Sequence, residues 1–155
     1  MRILVDADAC PVKAIIREEA RRAGGDVRVL LFATDDHEQS GGDRWVHVAK
    51  GRDAVDHALF GAAAPGDAVV TGDHGLAALC LGRGAAVLHP DGWRYREEAM
   101  PALLAERYLA ARARRAGGRA RARGEGTGRP KGPRPRTAAD DKAFRAALRA
   151  LLDGG

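Results

Sequence analysis

Short apolar runs alternate with stretches of helical spacing along most of this chain. Arg2–Val5 reads as a short buried strand, and Val12, Ile15, Ile16, Ala20 and Ala23 then recur on one helical face until Gly24-Gly25. Pro11 suits the first turn of that helix, where a missing N–H costs nothing. Val27–Phe32 and Trp45–Val48 are further strand candidates, separated by the polar stretch Thr34–Asp43, which reads as a loop. Val55, Ala58, Leu59 and Ala62 mark a second helix. After the turn Pro65-Gly66-Asp67 come a strand over Ala68–Thr71, a short helix over Leu76–Leu81 and a strand over Ala85–Leu88. Strands alternating with helices predict an α/β domain whose mainly parallel central sheet is covered by helices on both faces.

The pattern changes after Pro90-Asp91-Gly92. Residues 97–115 read as helix, with Pro101 expected to break or kink its first part. Residues 116–136 are rich in Gly, Arg and Pro and predict a flexible segment. Ala138–Leu152 predicts a final amphipathic helix, with Phe144, Ala147, Leu148, Leu151 and Leu152 on its apolar stripe. Thr137 and Asp140 have the form of a capping box at its start. The expected division is an α/β domain over 1–115, a basic flexible linker over 116–136 and a C-terminal helix over 137–155.

Length and cysteine usage narrow the class. The 155 residues suffice for one well-packed core. No apolar run is long enough to cross a membrane, and only Ile3-Leu4-Val5 separate Arg2 from Asp6, too few for a signal peptide. Cys10 and Cys80 lie far apart in apolar contexts without paired-ligand spacing, so a cytoplasmic protein with reduced thiols is expected.

The net charge of +5 conceals an asymmetry. Residues 1–111 hold 13 Lys/Arg against 17 Asp/Glu, whereas residues 112–136 hold 10 Lys/Arg against Glu125 alone. An acidic body therefore carries a basic strap, which suits a polyanionic partner. The strap contains no aromatic residue, so it has no stacking platform, and Arg119, Arg121 and Arg123 are expected to touch phosphates without reading sequence. A solvated linker is the plainer reading of the same residues. A membrane surface fits poorly, since no apolar face accompanies the charge.

Three acidic pieces carry the candidate chemistry: Asp6-Ala7-Asp8, Asp53/Asp56 and Thr71-Gly72-Asp73. Each sits where a strand ends or a helix begins, and in open α/β sheets such places converge on one crevice. Asp6 and Asp8 share one face if the backbone is extended through both. The plainer readings are that Asp8 complements a helix N-terminus, that Asp53 and Asp56 are ordinary N-terminal helix residues, and that Asp73 serves a turn. Converging carboxylates repel one another unless a hard cation such as Mg²⁺ or Mn²⁺ holds them. Asp6, Asp8, Asp53, Asp56 and Asp73 are the carboxylates that could share such an ion. None of the five histidines shows ligand spacing, but His74, beside Asp73, is placed to touch a substrate phosphate or relay a proton.

Taken together, Val5-Asp-Ala-Asp-Ala-Cys-Pro11, Gly51-x-Asp53-x-x-Asp56, Thr71-Gly72-Asp73-x-x-Leu76-Ala77 and Asp140-x-x-x-Phe144 resemble the YaiI/YqxD family of bacterial proteins, similar to the PIN-like nucleases. The resemblance covers nearly the whole chain and implies a PIN-like α/β fold with Mg²⁺- or Mn²⁺-dependent phosphodiester hydrolysis. On it Asp6, Asp8, Asp56 and Asp73 match the acidic positions and are the expected catalytic residues and metal ligands, with Asp53 adjacent. The expected substrate and partner is nucleic acid, RNA before DNA. Gly72 and His74-Gly75 depart from the family's usual residues there, and the strap is richer in arginine. Two other functions compete. One is a phosphatase of the haloacid dehalogenase type, with Asp6 as nucleophile, Asp8 as acid/base partner and Lys50 as the basic group. The other is a non-enzymatic RNA-binding protein that uses the basic strap.

Overall fold

The structure, a computed structural model, describes residues 1–8, 10–34, 44–51, 53–122 and 135–154, with the side chains of 116–122 set aside. Five parallel strands form one sheet: β1 (Arg2–Asp6), β2 (Arg28–Thr34), β3 (Arg44–Val48), β4 (Ala68–Val70) and β5 (Ala86–Leu88), in the order β3-β2-β1-β4-β5. The chain moves outward from β1 through α1 (Lys13–Ala23) to β2 and β3. It then crosses back through α2 (Ala54–Ala62) to β4 on the other side of β1, and through α3 (His74–Gly82) to β5. The reversal falls between β1 and β4, where their carboxyl ends open a crevice.

Alternation along β1 sends its side chains into two cores. Ile3 and Val5 pack with Ile15, Ile16 and Leu31 under α1, together with Phe144, Leu148 and Leu151 from α5 (Ala138–Leu152). Leu4 packs on the opposite face with Phe32, Leu59, Val69 and Leu76, under α2 and α3. Asp6 is two residues on from Leu4 and therefore lies on the α2/α3 side, the side from which Asp56 comes. The apolar stripe of α5 is thus buried on its own domain. Each of its large side chains contributes about 1.5–3 kcal/mol by leaving water. Its first turn is fixed by the expected capping box, with Thr137 N–H donating to Asp140 Oδ2 at 2.8 Å and Asp140 N–H to Thr137 Oγ1 at 3.4 Å.

Polar contacts reinforce the α1–α5 seam. Glu19 is fully buried and accepts from Arg149 Nε at 2.6 Å, Arg145 Nη1 at 2.6 Å and Arg22 Nε at 2.8 Å. The Arg149 hydrogen bond is the largest influence on its carboxyl, which is held at a pKa of about 2.

Several boundaries differ from the sequence expectation. The first helix starts at Lys13 rather than Pro11: Val12 is its N-cap, and ahead of it Cys10 N–H donates to Ala7 O at 3.5 Å. Thr34 closes β2 instead of opening a loop, and residues 35–43 lie outside the described residues. Pro101 neither breaks nor kinks α4 (Met100–Ala122), because it falls in the first turn, where no intrahelical N–H is needed. A 3₁₀ turn over Glu97–Ala99 precedes it. The same helix runs seven residues past the expected limit at 115, through Gly117-Gly118, in a stretch rich in the strong helix formers Ala and Arg. Among the described residues, no helix is long and apolar enough to cross a membrane.

Candidate functional site

Asp6 ends β1, Asp56 lies in the first turn of α2, and Asp73 is the N-cap of α3 just after β4. These three carboxylates line one cavity of about 380 Å³, with Thr71, Gly72 and Pro90 around them. A second cavity of about 320 Å³ shares Asp56 and Asp73 and adds Asp53 and Arg107. The topology accounts for the convergence: adjacent strands β1 and β4 present Asp6 and Asp73 at one end, and α2 brings Asp56 to the same crevice.

Each carboxylate is compensated differently. Thr71 Oγ1 donates to Asp6 Oδ2 at 3.2 Å. Burial raises the Asp6 pKa above its ordinary value despite that bond, and the negative charges of Asp56, Asp8 and Asp73 raise it further. Burial, followed by the charges of Asp73 and Asp53, raises Asp56 as well. Among the described residues, Asp56 accepts no hydrogen bond. Asp73 is the opposite case. Burial pushes it up, but the Arg107 hydrogen bonds and the N–H groups of Leu76 and Gly75 outweigh that and hold it below the usual carboxylate range. Its Oδ1 accepts from Gly75 N–H at 2.7 Å, Leu76 N–H at 3.0 Å and Arg107 Nη1 at 2.9 Å, and its Oδ2 from Arg107 Nη2 at 2.7 Å. Gly75 permits this closeness, since a Cβ there would lie 3.1 Å from Asp73 Oδ1.

Arg107, on α4, is thus a site residue that the sequence reading missed. Its one signal was that no other Lys or Arg occurs between residues 97 and 111. Among the described residues lining the two cavities, it is the only arginine or lysine. Cys10 also faces the carboxylate cavity, and burial raises its thiol pKa, so it is present there as a neutral group.

Asp8 is placed elsewhere. β1 ends at Asp6, and Asp8 lies in the turn that follows. Asp8 Oδ1 instead accepts from Thr34 N–H at 3.2 Å at the end of β2, and Asp8 lines neither cavity. Its charge also acts on Asp6.

Comparison with known proteins now adds to this geometry. Residues 4–154 match the family described as "Uncharacterized BCR, YaiI/YqxD family". A UPF0178 protein of Bacillus anthracis (strain CDC 684 / NRRL 3495) is 40% identical over 156 residues, spanning 98% of this chain and 99% of its own. One from Bacillus cereus (strain ATCC 14579) is 39% identical over the same shares. The chain belongs to the YaiI/YqxD family. No solved structure matches it significantly.

In this YaiI/YqxD chain His74 opens α3 but lines neither cavity. It lies at the rim instead, with Nδ1 3.3 Å from Gly72 O and 3.4 Å from the Tyr95 hydroxyl. Arg119 and Arg121 fall on the last turns of α4, where side chains are not described, and Arg123 lies outside the described residues. Lys50 lines neither cavity.

An all-oxygen set of under-compensated carboxylates fits a hard divalent cation better than a soft one. The chemistry of Asp6 and Asp56 therefore suits Mg²⁺ or Mn²⁺. The geometry is looser than a closed site: among the described residues, no three Asp, Glu, His or Cys side chains converge on one metal position. Asp73 in particular is engaged by Arg107.

Proposed function

We propose that this YaiI/YqxD chain is a divalent-metal-dependent phosphodiesterase acting on nucleic acid, with RNA as its substrate and the cytoplasm as its compartment. The observation that supports this most directly is the shared cavity of Asp6, Asp56 and Asp73, in which burial and mutual repulsion raise the pKa of the first two. Asp6 and Asp56 would hold the cation. Thr71 fixes the rotamer of Asp6 by donating to it, and so presets one ligand. With Mg²⁺ or Mn²⁺ held there, the site would gain a water of lowered pKa and a charge to offset that of the phosphoryl oxygens. Arg107 holds Asp73 and carries a guanidinium fork suited to a non-bridging phosphate oxygen, so substrate and Asp73 compete for it. The buried, reduced Cys10 and Cys80 agree with a cytoplasmic setting.

The test is cleavage of an end-labelled single-stranded RNA in Mn²⁺ by the full chain, with DNA of the same sequence alongside. The wild type is expected to cut RNA, and Asp6→Asn and Asp56→Asn to lose at least about 100-fold while still folding. Cleavage that persists in both variants removes the carboxylates from the chemistry.

A further inference from the structure

Aromatic residues are scarce in this chain, with two Trp, two Tyr and three Phe in all. Two of these seven nevertheless meet two of the five histidines at the carboxyl ends of β4 and β5. The Trp93 and His89 rings stack at 4.5 Å with 10° between planes. Tyr95 lies tilted against Trp93 at 4.5 Å, and His74 meets Tyr95 and Trp93 edge-on at 5.6 and 6.2 Å. Core packing explains Tyr95, which is buried. It does not explain Trp93, which remains 37% exposed at the end of the stack.

The turn that carries these rings is closed by hydrogen bonds and built against α5. His89 N–H donates to Trp93 O, and Gly92 N–H to His89 O, both at 2.9 Å. Asp91 N–H donates to His89 Nδ1 at 3.0 Å, which orients the imidazole. Gly92 has φ +92°, and a Cβ there would fall 2.5 Å from Phe144 N, so the turn rests directly on the α5 backbone. Arg136 bridges Asp91 at 3.4 Å and Asp141 at 2.6 Å. An aromatic face held in this way loses little entropy when a flat partner stacks on it.

Its position gives it a role. Pro90, on the same turn, lines the carboxylate cavity, and Gly72, another lining residue, has His89 Nε2 within 3.8 Å of its Cβ position. The stack therefore adjoins the carboxylate cavity, and a strand with one phosphate there would have a neighbouring nucleotide within reach of it. The basic strap has no aromatic residue, so any base-dependent part of binding needs a platform elsewhere.

We infer that the Trp93–His89 stack is a binding subsite for an unpaired nucleobase of a single strand, beside the carboxylate cavity. The inference rests on the nucleic-acid reading of that cavity but not on hydrolysis. Stacking on an aromatic side chain tolerates any base, so the subsite favours single strands without selecting sequence.

The experiment measures binding of the full chain, in EDTA to prevent cleavage, by fluorescence anisotropy. The probes are a labelled oligouridylate and an abasic ribose-phosphate oligomer of equal length. Wild type is expected to prefer the base-bearing strand by about 5- to 30-fold. Trp93→Ala should abolish the preference, Trp93→Phe should keep most of it, and the salt dependence set by phosphate contacts should not change. Equal affinity of wild type for both strands overturns the subsite without recourse to any variant, as does a preference that survives Trp93→Ala. A base preference in a protein that cuts nothing in Mn²⁺ upholds the subsite and counts against the hydrolytic reading alone.

Discussion

Two regions of this molecule treat their carboxylates in opposite ways. At the α1–α5 seam, Glu19 is completely buried and meets three arginines, which hold its pKa at about 2. At the β1/β4 crevice, Arg107 is the one arginine or lysine among the described lining residues, and it pairs with Asp73. Asp6 and Asp56 are left with raised pKa values, first through burial and then through neighbouring charge, that of Asp56 on Asp6 and that of Asp73 on both. The seam is complete as it stands and contributes to stability. The crevice keeps an unbalanced negative charge at a cost in stability, which is characteristic of functional sites.

Substitutions should separate the two regions sharply. The largest effect is expected in the crevice, where Asp6→Asn should reduce metal-dependent cleavage by at least about 100-fold while the melting temperature holds or rises, since repulsion is relieved. Glu19→Gln should do the reverse. It removes the charge shared by three partly exposed guanidinium groups, of which Arg145 keeps Glu18 and Arg22 keeps Asp153, and should cost about 2–4 kcal/mol, lowering the melting temperature by roughly 5–15 °C with activity per folded molecule retained.

Their pH dependence distinguishes them further. The Glu19 pKa is depressed on folding, so its stabilisation is fully present above the ordinary 4.5 and is lost as pH falls towards about 2. The Asp6 pKa is raised on folding, so its penalty is absent below the ordinary 3.8 and is fully present once pH exceeds the raised value. Melting curves across pH should therefore show Asp6→Asn gaining on wild type as pH rises from 3.8. The deficit of Glu19→Gln should already be constant above pH 4.5.

A smaller effect sharpens the role of Arg107. Its pair with Asp73 is half-exposed and worth about 1 kcal/mol or less, so Arg107→Gln should tighten Mn²⁺ binding by no more than about 5-fold. Calorimetry on the variant checks this, and weaker binding would mean that Arg107 positions Asp73 for the metal instead of competing with it.

How much of this was legible in the sequence depends on how local each signal is. The alternation of strands and helices could be read because each apolar run is short and bounded, and the Thr137/Asp140 cap because it spans four residues. Asp6, Asp56 and Asp73 could be placed in one crevice because strand ends in parallel sheets converge. Asp8 could not be placed, since its fate depends on the strand ending at Asp6 and on a Thr34 N–H 26 residues away. Arg107 and the Trp93–His89 stack were hidden for the same reason: each forms only when elements far apart in sequence pack together. The length of α4 was missed because two glycines read as a break, although the surrounding Ala and Arg sustain the helix.

The most direct test of the crevice is a calorimetric titration of Mn²⁺ into wild type and Asp6→Asn at fixed ionic strength, with both shown to be folded. Saturable binding to wild type that is lost in Asp6→Asn is the predicted result. No binding to wild type, or equal binding to both, would contradict a metal centre built on these carboxylates.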